Sequence, residues 1–156
     1  MSMRVYIGTL LRCGPERAWQ EVQRPALLRY ITHPLVHFEP IAPNTFPPAW
    51  REGRYRVRMR LFGILPGGTQ WIVIRLKVSP GIYELFDDGQ GDLIAHWRHH
   101  ITLRPTPEGF THYTDTVDIE AGLLTWGVWL YANVLFRYRQ SRWRRLVENH
   151  FDYAKT

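Results

Sequence analysis

The segment IAHWRHHITL holds three histidines, a tryptophan and an arginine within ten residues, Ile94 to Leu103. Histidine changes its charge near neutral pH and also binds metals, so this segment is the first candidate for chemistry. If the segment is a β-strand, successive side chains point to opposite faces. His99 then shares the more apolar face with Trp97, whereas His96 and His100 lie on the other face.

A metal site requires three or four converging nitrogen, oxygen or sulfur ligands. His96 and His100 lie four residues apart on the predicted strand, about 13 Å, which is too far to share one ion. His112 could approach His100 across a hairpin, but this pair supplies only two ligands on a solvated face. No GxGxxG or phosphate-loop motif occurs either. We therefore expect no metal and no other cofactor.

The segment THYTDTVDIE offers partners for His99, because Tyr113 and Asp115 have the parity of the inner face. We expect His99 to lie opposite Asp115, or opposite Tyr113 if the register shifts by two residues. A buried aspartate requires a partner, and a neighbouring histidine gains charge stabilisation from it. Three interpretations stay open: a structural hydrogen bond, a polar anchor for a ligand, or a general base with an orienting acid.

Proline, glycine and alternating residues predict the elements that position these side chains. A first strand, MRVYIGTLL, precedes two short helices in CGPERAWQEV and RPALLRYITHP, and LVHFEPI is a second strand. The segment RYRVRMRL alternates strictly between arginines and apolar residues, which predicts a strand with one solvated face. Two further strands, TQWIVIRLKV and IYELF, and a hairpin around TPEG complete the sheet. We predict that FGILPGG is a turn, with Gly67 and Gly68, and that DDGQGD is a loop.

From Leu123 the pattern becomes helical, and we predict one C-terminal helix of about 30 residues. Its first half is apolar on nearly all sides, and its second half is amphipathic. A sheet with one apolar face must be covered, and this helix is the one predicted element large enough to do so. We therefore predict an α+β fold over residues 1–156 as one domain, with a curved antiparallel sheet around the C-terminal helix.

Composition narrows the classes of protein that fit. Aromatic residues reach 14%, which is typical of an apolar ligand cavity as well as of a packed core. The single cysteine, Cys13, excludes an internal disulfide and fits the cytoplasm, and we find no signal peptide. The most apolar stretch, Leu123 to Phe136, is shorter than the roughly 20 residues that span a bilayer.

The net charge of +6 comes almost entirely from arginine. Arg54, Arg56, Arg58 and Arg60 line one strand face, and a second group lies near the end of the predicted helix. The residues of this second group are Arg137, Arg139, Arg142, Arg144 and Arg145. They could make weak contact with an anionic membrane, or they are a solvated surface whose charges favour the helix C-terminus. We expect no specific nucleic-acid binding.

Several strings carry a resemblance to a known family. They are the opening VYIGTLLRCGPERAWQEVQRPALLRYITH, the F-x-D-x-Q…W-x-H string, the D-x-V strand leading to glycine, and the basic RYRQSRWRRL. The residues of the two middle strings are Phe86, Asp88, Gln90, Trp97, His99, Asp115, Val117 and Gly122. Over nearly its whole length the chain resembles the START/Bet v 1-like superfamily, which includes SRPBCC and polyketide cyclase-like proteins. One departure is that His100 follows His99 directly, where a second histidine often stands two residues on.

The resemblance implies a helix-grip fold, with two short helices after the first strand and a cavity under the C-terminal helix. Members bind lipids, sterols or polyketides there, and a minority are enzymes. We expect the cavity to be lined by Tyr55, Val57, Met59, Trp97, His99, Tyr113, Asp115, Val117, Trp126 and Leu130. The expected function is binding of an apolar small molecule by a monomer or homodimer. The alternatives are a cyclase or dehydratase that uses His99 and Asp115, and a basic surface for anionic membranes or nucleic acid.

Overall fold

Seven strands form one antiparallel sheet in the computed structural model, which describes residues 1–155. The strands are β1 (Met3–Leu11), β2 (Val36–Ala42), β3 (Gly53–Leu61), β4 (Leu65–Ser79), β5 (Ile82–Gly91), β6 (His96–Pro105) and β7 (Thr111–Glu120). Their order across the sheet is β1-β7-β6-β5-β4-β3-β2. Strands β2 to β7 therefore follow one another as a meander, and β7 returns to pair with β1.

Three helices accompany the sheet: α1 (Pro15–Val22), α2 (Pro25–Thr32) and α3 (Thr125–Glu148). Both α1 and α2 begin with a proline in the first turn, where a missing amide hydrogen removes no helical hydrogen bond. A 3₁₀ turn, Gly122–Leu124, leads from β7 into α3. None of the helices within residues 1–155 is long and apolar enough to cross a membrane.

The predicted helix-grip architecture is confirmed, because α3 covers the apolar face of the sheet. The second half of α3 packs tightly: Trp143 is fully buried, and its ring meets that of Tyr113 edge-on at 5.7 Å between centroids. In the first half, Phe136 packs with Val5 and Val117 in a smaller cluster beside β1 and β7. The apolar packing under α3 is therefore divided between two clusters.

The prediction that DDGQGD is a loop is wrong, because β5 continues through it to Gly91. The glycines serve close strand packing rather than a turn. A Cβ atom on Gly89 would lie 2.8 Å from the carbonyl oxygen of Trp71, and one on Gly91 would lie 2.5 Å from that of Thr69. Larger residues would force β5 away from β4. The extension of β5 places Asp87 inside the sheet.

Two other boundaries differ from the sequence prediction. Gly67 and Gly68 lie within β4 rather than in the turn, and a Cβ on Gly67 would lie 3.2 Å from Met59 on the neighbouring strand. Helix α3 has 24 residues rather than about 30. It ends at Glu148 because His150 and Phe151 adopt positive φ angles of 54° and 61°, which no α-helix can contain.

Trp143→Ala should lower the free energy of unfolding by about 3–5 kcal/mol, because a fully buried indole is lost and leaves a void. Trp126→Ala is the matched control: it removes the same side chain from the same helix at a position that is 61% exposed. We expect it to change the unfolding free energy by less than about 0.5 kcal/mol. Urea unfolding measures both, and equal losses would contradict the packing of α3 described above.

Candidate ligand cavity

A cavity of about 400 Å³ lies between the sheet and the first half of α3. Its walls are mainly apolar and include Ile72 and Ile74 of β4, Leu85 of β5 and Ile101 of β6. Residues of α1 and α2 line it as well. Its mouth lies near Leu93 and Leu124, which line the cavity and are about half exposed, 50% and 54%. The volume falls within the range of pockets that hold small molecules.

A buried polar network borders the cavity, centred on the carboxylate of Asp115. His99 Nε2 donates to Asp115 Oδ1 at 2.7 Å, and the hydroxyl of Tyr113 donates to the same oxygen at 3.1 Å. Gln140 of α3 donates to Asp115 Oδ2 at 3.0 Å and also to the carbonyl oxygen of Ile7 at 2.9 Å. The network therefore joins β1, β6, β7 and α3.

The contact between His99 and Asp115 is diagonal, and the predicted register is wrong. His99 lies opposite Val117 on β7, and Asp115 lies opposite Ile101. Diagonal neighbours on one face of an antiparallel pair remain within reach of long side chains, so the imidazole spans the gap. The face was predicted correctly even though the opposite partner was not.

Burial and hydrogen bonds together determine the protonation states of His99 and Asp115. Burial lowers the pKa of His99, and this effect outweighs the hydrogen bond and the charge of Asp115, which raise it. Burial raises the pKa of Asp115, but the hydrogen bonds from His99 and Gln140 and the nearby charges bring it below its ordinary value. The pair is thus a neutral imidazole and a carboxylate. Since a carboxylate accepts only, Nε2 carries the proton and Nδ1 is free to accept one.

Asp87 is a carboxyl group in the cavity wall itself, and it was not predicted from the sequence. It lies directly opposite His99 on the paired strands, and its Oδ1 accepts a hydrogen bond from the amide of Val73 at 2.9 Å. Burial raises the pKa of Asp87 to about 7, despite that hydrogen bond. A carboxyl group with this pKa can give or take a proton at neutral pH.

Two further polar residues that face the cavity were not predicted as part of the site. Arg139 and Gln70 are each 6% exposed. Within residues 1–155, Arg139 Nε and Gln70 Oε1 are both buried without a hydrogen-bond partner. Arg139 belongs to the basic group that we assigned to the helix surface. Its position four residues after Leu135, which also lines the cavity, was the available signal, because residues four apart share a helix face.

Four of the ten residues predicted to line the cavity do so: Met59, Trp97, His99 and Tyr113. Asp115 lies behind His99 and is buried, and Tyr55, Val57 and Val117 are buried in the core beside the cavity.

The structure places Trp126 and Leu130 on the outside of α3, at 61% and 49% exposure, so the predicted helix phase is wrong. The inward face of α3 instead carries Val128, Tyr131, Leu135 and Arg139, and Leu124 lines the cavity from the preceding 3₁₀ turn. The apolar character of the first half of α3 on all sides had left its phase undetermined.

The other predicted groups lie outside the cavity. On the outer face of the sheet, His100 stacks on Phe86 and its Nε2 lies 2.9 Å from Glu84 Oε1. Of the basic group on α3, Arg139 and Arg142 are buried, so neither of them can contact a membrane surface. Within residues 1–155, no group of three histidine, cysteine or acidic side chains is placed to hold a metal ion.

Comparison with known proteins finds similarity in structure but not in sequence. No protein-family model matches the chain, and no curated protein matches it in sequence. A protein from Chromobacterium violaceum is similar in structure, with a TM-score of 0.66 and 16% identity over 93% of this chain and 96% of that one. A START superfamily protein from Mycobacterium smegmatis aligns with a TM-score of 0.65 and 13% identity, over 94% and 97% of the two chains.

The structure of norcoclaurine synthase from Thalictrum flavum, in complex with dopamine and hydroxybenzaldehyde, is also similar. It aligns with a TM-score of 0.63 and 12% identity over 96% of this chain and 88% of that one. This chain has the START/Bet v 1-like fold. Its cavity lies under the long C-terminal helix, as the resemblance in sequence implied. At these identities the likeness concerns the fold, and the chemistry must be argued from the side chains in hand.

Asp115→Ala should destabilise this START/Bet v 1-like domain by about 3 kcal/mol, because it leaves buried donors on His99 and Gln140 without their acceptor. Asp118→Ala on the same strand is the control. Asp118 forms an exposed ion pair with Arg4 at 2.7 Å, and such a pair contributes less than about 1 kcal/mol. Chemical unfolding of both variants tests this, and equal small losses would show that the network does not stabilise the fold.

The raised pKa of Asp87 predicts a pH-dependent stability. The carboxyl group of Asp87 binds its proton more tightly in the folded protein than in the unfolded chain. The free energy of unfolding therefore falls as the pH rises from the ordinary pKa of 3.8 toward about 7. Asp87→Asn removes this effect. We therefore expect the free energy of unfolding of the variant, relative to that of the wild type, to rise by about 1–2 kcal/mol between a pH near 4 and a pH above 7. This is less than the full linkage because the side chain of Asp87 keeps some exposure to solvent.

Urea unfolding across this pH range provides the measurement. Asp88→Asn is the control, because Asp88 is the exposed neighbour on the outer face, with its Oδ1 3.6 Å from Arg98 Nε. Its pH profile should keep the fall in stability toward neutral pH, with a slightly earlier onset of the plateau because the charge of Asp88 contributes to the raised pKa of Asp87. A profile for Asp87→Asn that runs parallel to that of the wild type would contradict the raised pKa.

Proposed function

We propose that this protein binds an apolar small molecule in the cavity between the sheet and α3, for transport, sensing or sequestration. The observation that carries the proposal is the cavity itself, about 400 Å³ with mainly apolar walls and a few polar groups on one side. An apolar ligand gains free energy from leaving water, and convergent polar groups orient it. The fold, which commonly holds such ligands, supports the proposal.

The mouth of the cavity supports entry of a ligand from solvent. Leu93 and Leu124 expose apolar surface there, and Gly127 of α3 lines the cavity with open space where its Cβ atom would be. We further propose a cytoplasmic location, which the lone Cys13 supports because it fits a reducing compartment, and a monomeric or homodimeric state.

A second candidate is an enzyme of the cyclase or dehydratase kind, with His99 as base and Asp115 as the group that orients it. It is favoured by the unprotonated Nδ1 of His99, which belongs to a residue in the cavity wall, and by the second carboxyl group on Asp87. Norcoclaurine synthase shows that a similar fold can carry a synthase. Binding ranks first because it requires the cavity alone, whereas a reaction requires a substrate placed against His99.

A third candidate is a basic surface for an anionic membrane or nucleic acid. Arg137, Arg144 and Arg145 are exposed on α3, and a row of four arginines is exposed on β3. Several of these charges already have neighbours on the protein: Arg58 and Arg60 lie near Glu39, and Arg144 donates to Thr9. This candidate therefore ranks last.

The proposal is tested by filling the cavity. Leu135→Trp enlarges a side chain that lines it, and we expect affinity for the neutral apolar dye Nile red to fall at least roughly tenfold. Val134→Trp, at the neighbouring position that is 58% exposed, should leave the affinity unchanged. Fluorescence titration gives both affinities, and thermal unfolding confirms that each variant is folded.

Absence of dye binding to the wild type, or equal binding by both variants, would contradict the cavity as the binding site. Native mass spectrometry of the purified protein, followed by extraction, then separates the first two candidates. A bound molecule that is recovered unchanged after incubation supports binding, whereas its conversion supports the enzyme.

A further inference from the structure

Arg139 combines burial with a lack of partners. It lines the cavity from α3, it is 6% exposed, and its Nε is buried without a hydrogen-bond acceptor in residues 1–155. No carboxylate in the part of the chain that the structure describes forms a salt bridge with it. Its guanidinium lies over the ring of Phe136, 4.5 Å from the centroid, so its one observed stabilising contact is with an aromatic face.

Arg142, the other buried arginine of α3, shows what a structural arginine looks like in this protein. Its Nε and one terminal nitrogen both donate to the carbonyl oxygen of Tyr30 at 3.3 Å, and its guanidinium also packs over the Tyr30 ring. Arg142 therefore has an acceptor supplied by the chain itself. Arg139, three residues earlier and facing the cavity, does not.

The positive charge of Arg139 lowers the pKa of Asp87, in the cavity wall, and of Asp115, behind His99, but both carboxyl groups accept their hydrogen bonds from other donors. Asp115 accepts hydrogen bonds from His99, Tyr113 and Gln140. Asp87 accepts a hydrogen bond from the backbone amide of Val73. The cavity wall therefore carries a cation that the protein does not neutralise by contact. A buried charge without a hydrogen-bonded partner is costly, and a ligand carboxylate would supply the direct contact that neither Asp87 nor Asp115 makes.

We propose that Arg139 binds the carboxylate of a ligand that is otherwise apolar and carries a single negative charge. The inference rests on the proposed function, whose cavity it uses. The planar guanidinium presents paired N–H donors that match the two oxygens of a carboxylate. The mainly apolar walls accept the remainder of the molecule.

Charge in the cavity favours a monoanion over a phosphate. Arg139 is the one arginine or lysine among the described residues that line the cavity. A dianion would leave one negative charge without compensation, close to Asp87 on the same wall. A carboxylic acid with an aliphatic or aromatic body is the class of ligand that satisfies both the apolar walls and the single cation.

The test compares two probes that differ in the head group alone: dodecanoate and 1-dodecanol, each below its aggregation limit, competing with Nile red at neutral pH. For the wild type we expect dodecanoate to bind at least about tenfold more tightly than 1-dodecanol. This comparison requires no variant, so it stands even if a substitution at Arg139 prevents folding.

Arg139→Met should abolish the preference, by weakening dodecanoate binding about tenfold or more while leaving 1-dodecanol binding unchanged. Arg139→Lys should retain part of it, since an ammonium keeps the charge but not the paired donors. Arg145→Met is the matched control, because it removes the same charge from an exposed position of the same helix and should keep the preference.

Thermal unfolding without ligand gives a second readout, the melting temperature of Arg139→Met. A purely structural role of Arg139 predicts that this temperature falls. If Arg139 serves a ligand, the melting temperature of Arg139→Met stays close to that of the wild type, because removal of an unpaired buried charge offsets the loss of its attraction to Asp115. A marked fall in melting temperature together with equal affinity of the wild type for both probes would overturn the inference.

The outcomes separate the two proposals. If both probes bind the wild type equally, the cavity binds apolar molecules and Arg139 does not select an anion. If neither probe binds, and Nile red does not either, the proposed function fails and the inference fails with it. If the preference persists in Arg139→Met, the anion is held elsewhere, and the assignment to Arg139 is wrong.

Discussion

The buried charge of Asp115 is the constraint on which the site depends. A carboxylate inside a protein must be hydrogen-bonded, and here the donors come from β6, β7 and α3. Gln140 is the critical donor, because it joins Asp115 and the backbone of β1 to the helix at once. This pair of bonds, with the buried side chains of Phe136 and Trp143, sets the rotation of α3 about its axis. Arg139, the preceding residue, is thereby turned into the cavity rather than toward solvent.

A second constraint acts on the opposite wall, where β4 and β5 approach closely. Gly89 and Gly91 permit this approach, since a Cβ atom at either position would collide with the backbone of β4. The close pairing extends β5 far enough to place Asp87 opposite His99. The cavity thus holds a neutral histidine between two carboxyl groups of different character: Asp115 is charged and fully engaged, whereas Asp87 titrates near neutral pH.

These constraints explain why one cavity supports two candidate functions. The apolar walls and the isolated arginine are typical of a site that holds an amphipathic acid, and the engaged Asp115 orients His99 in the way that a catalytic base requires. The fold does not choose between them, because similar folds include a synthase. The choice depends on whether a ligand that is anchored at Arg139 presents an acidic proton to His99 Nδ1.

The sequence alone was sufficient to predict the element order, the helix-grip architecture and the inward face of β6. Strand alternation and the change to a helical period are local properties, and they survive folding because each element must bury its own apolar face. The same parity brought His99, Tyr113 and Asp115 together correctly. The register of β6 against β7 was not predicted, since a shift of two residues preserves the face of every side chain.

Tertiary structure alone decided which charged residues enter the site. Asp87 lies in a segment whose composition is typical of a loop, and only the packing of β5 on β4 makes it a strand. Arg139 resembles its exposed neighbours in sequence, and the packing of Phe136 and Trp143 together with the bonds of Gln140 sets the helix phase that turns it inward. The phase of a helix that is apolar on all sides, and the fit of one strand against another, are set by contacts between residues far apart in the chain. No local pattern in the sequence contains that information.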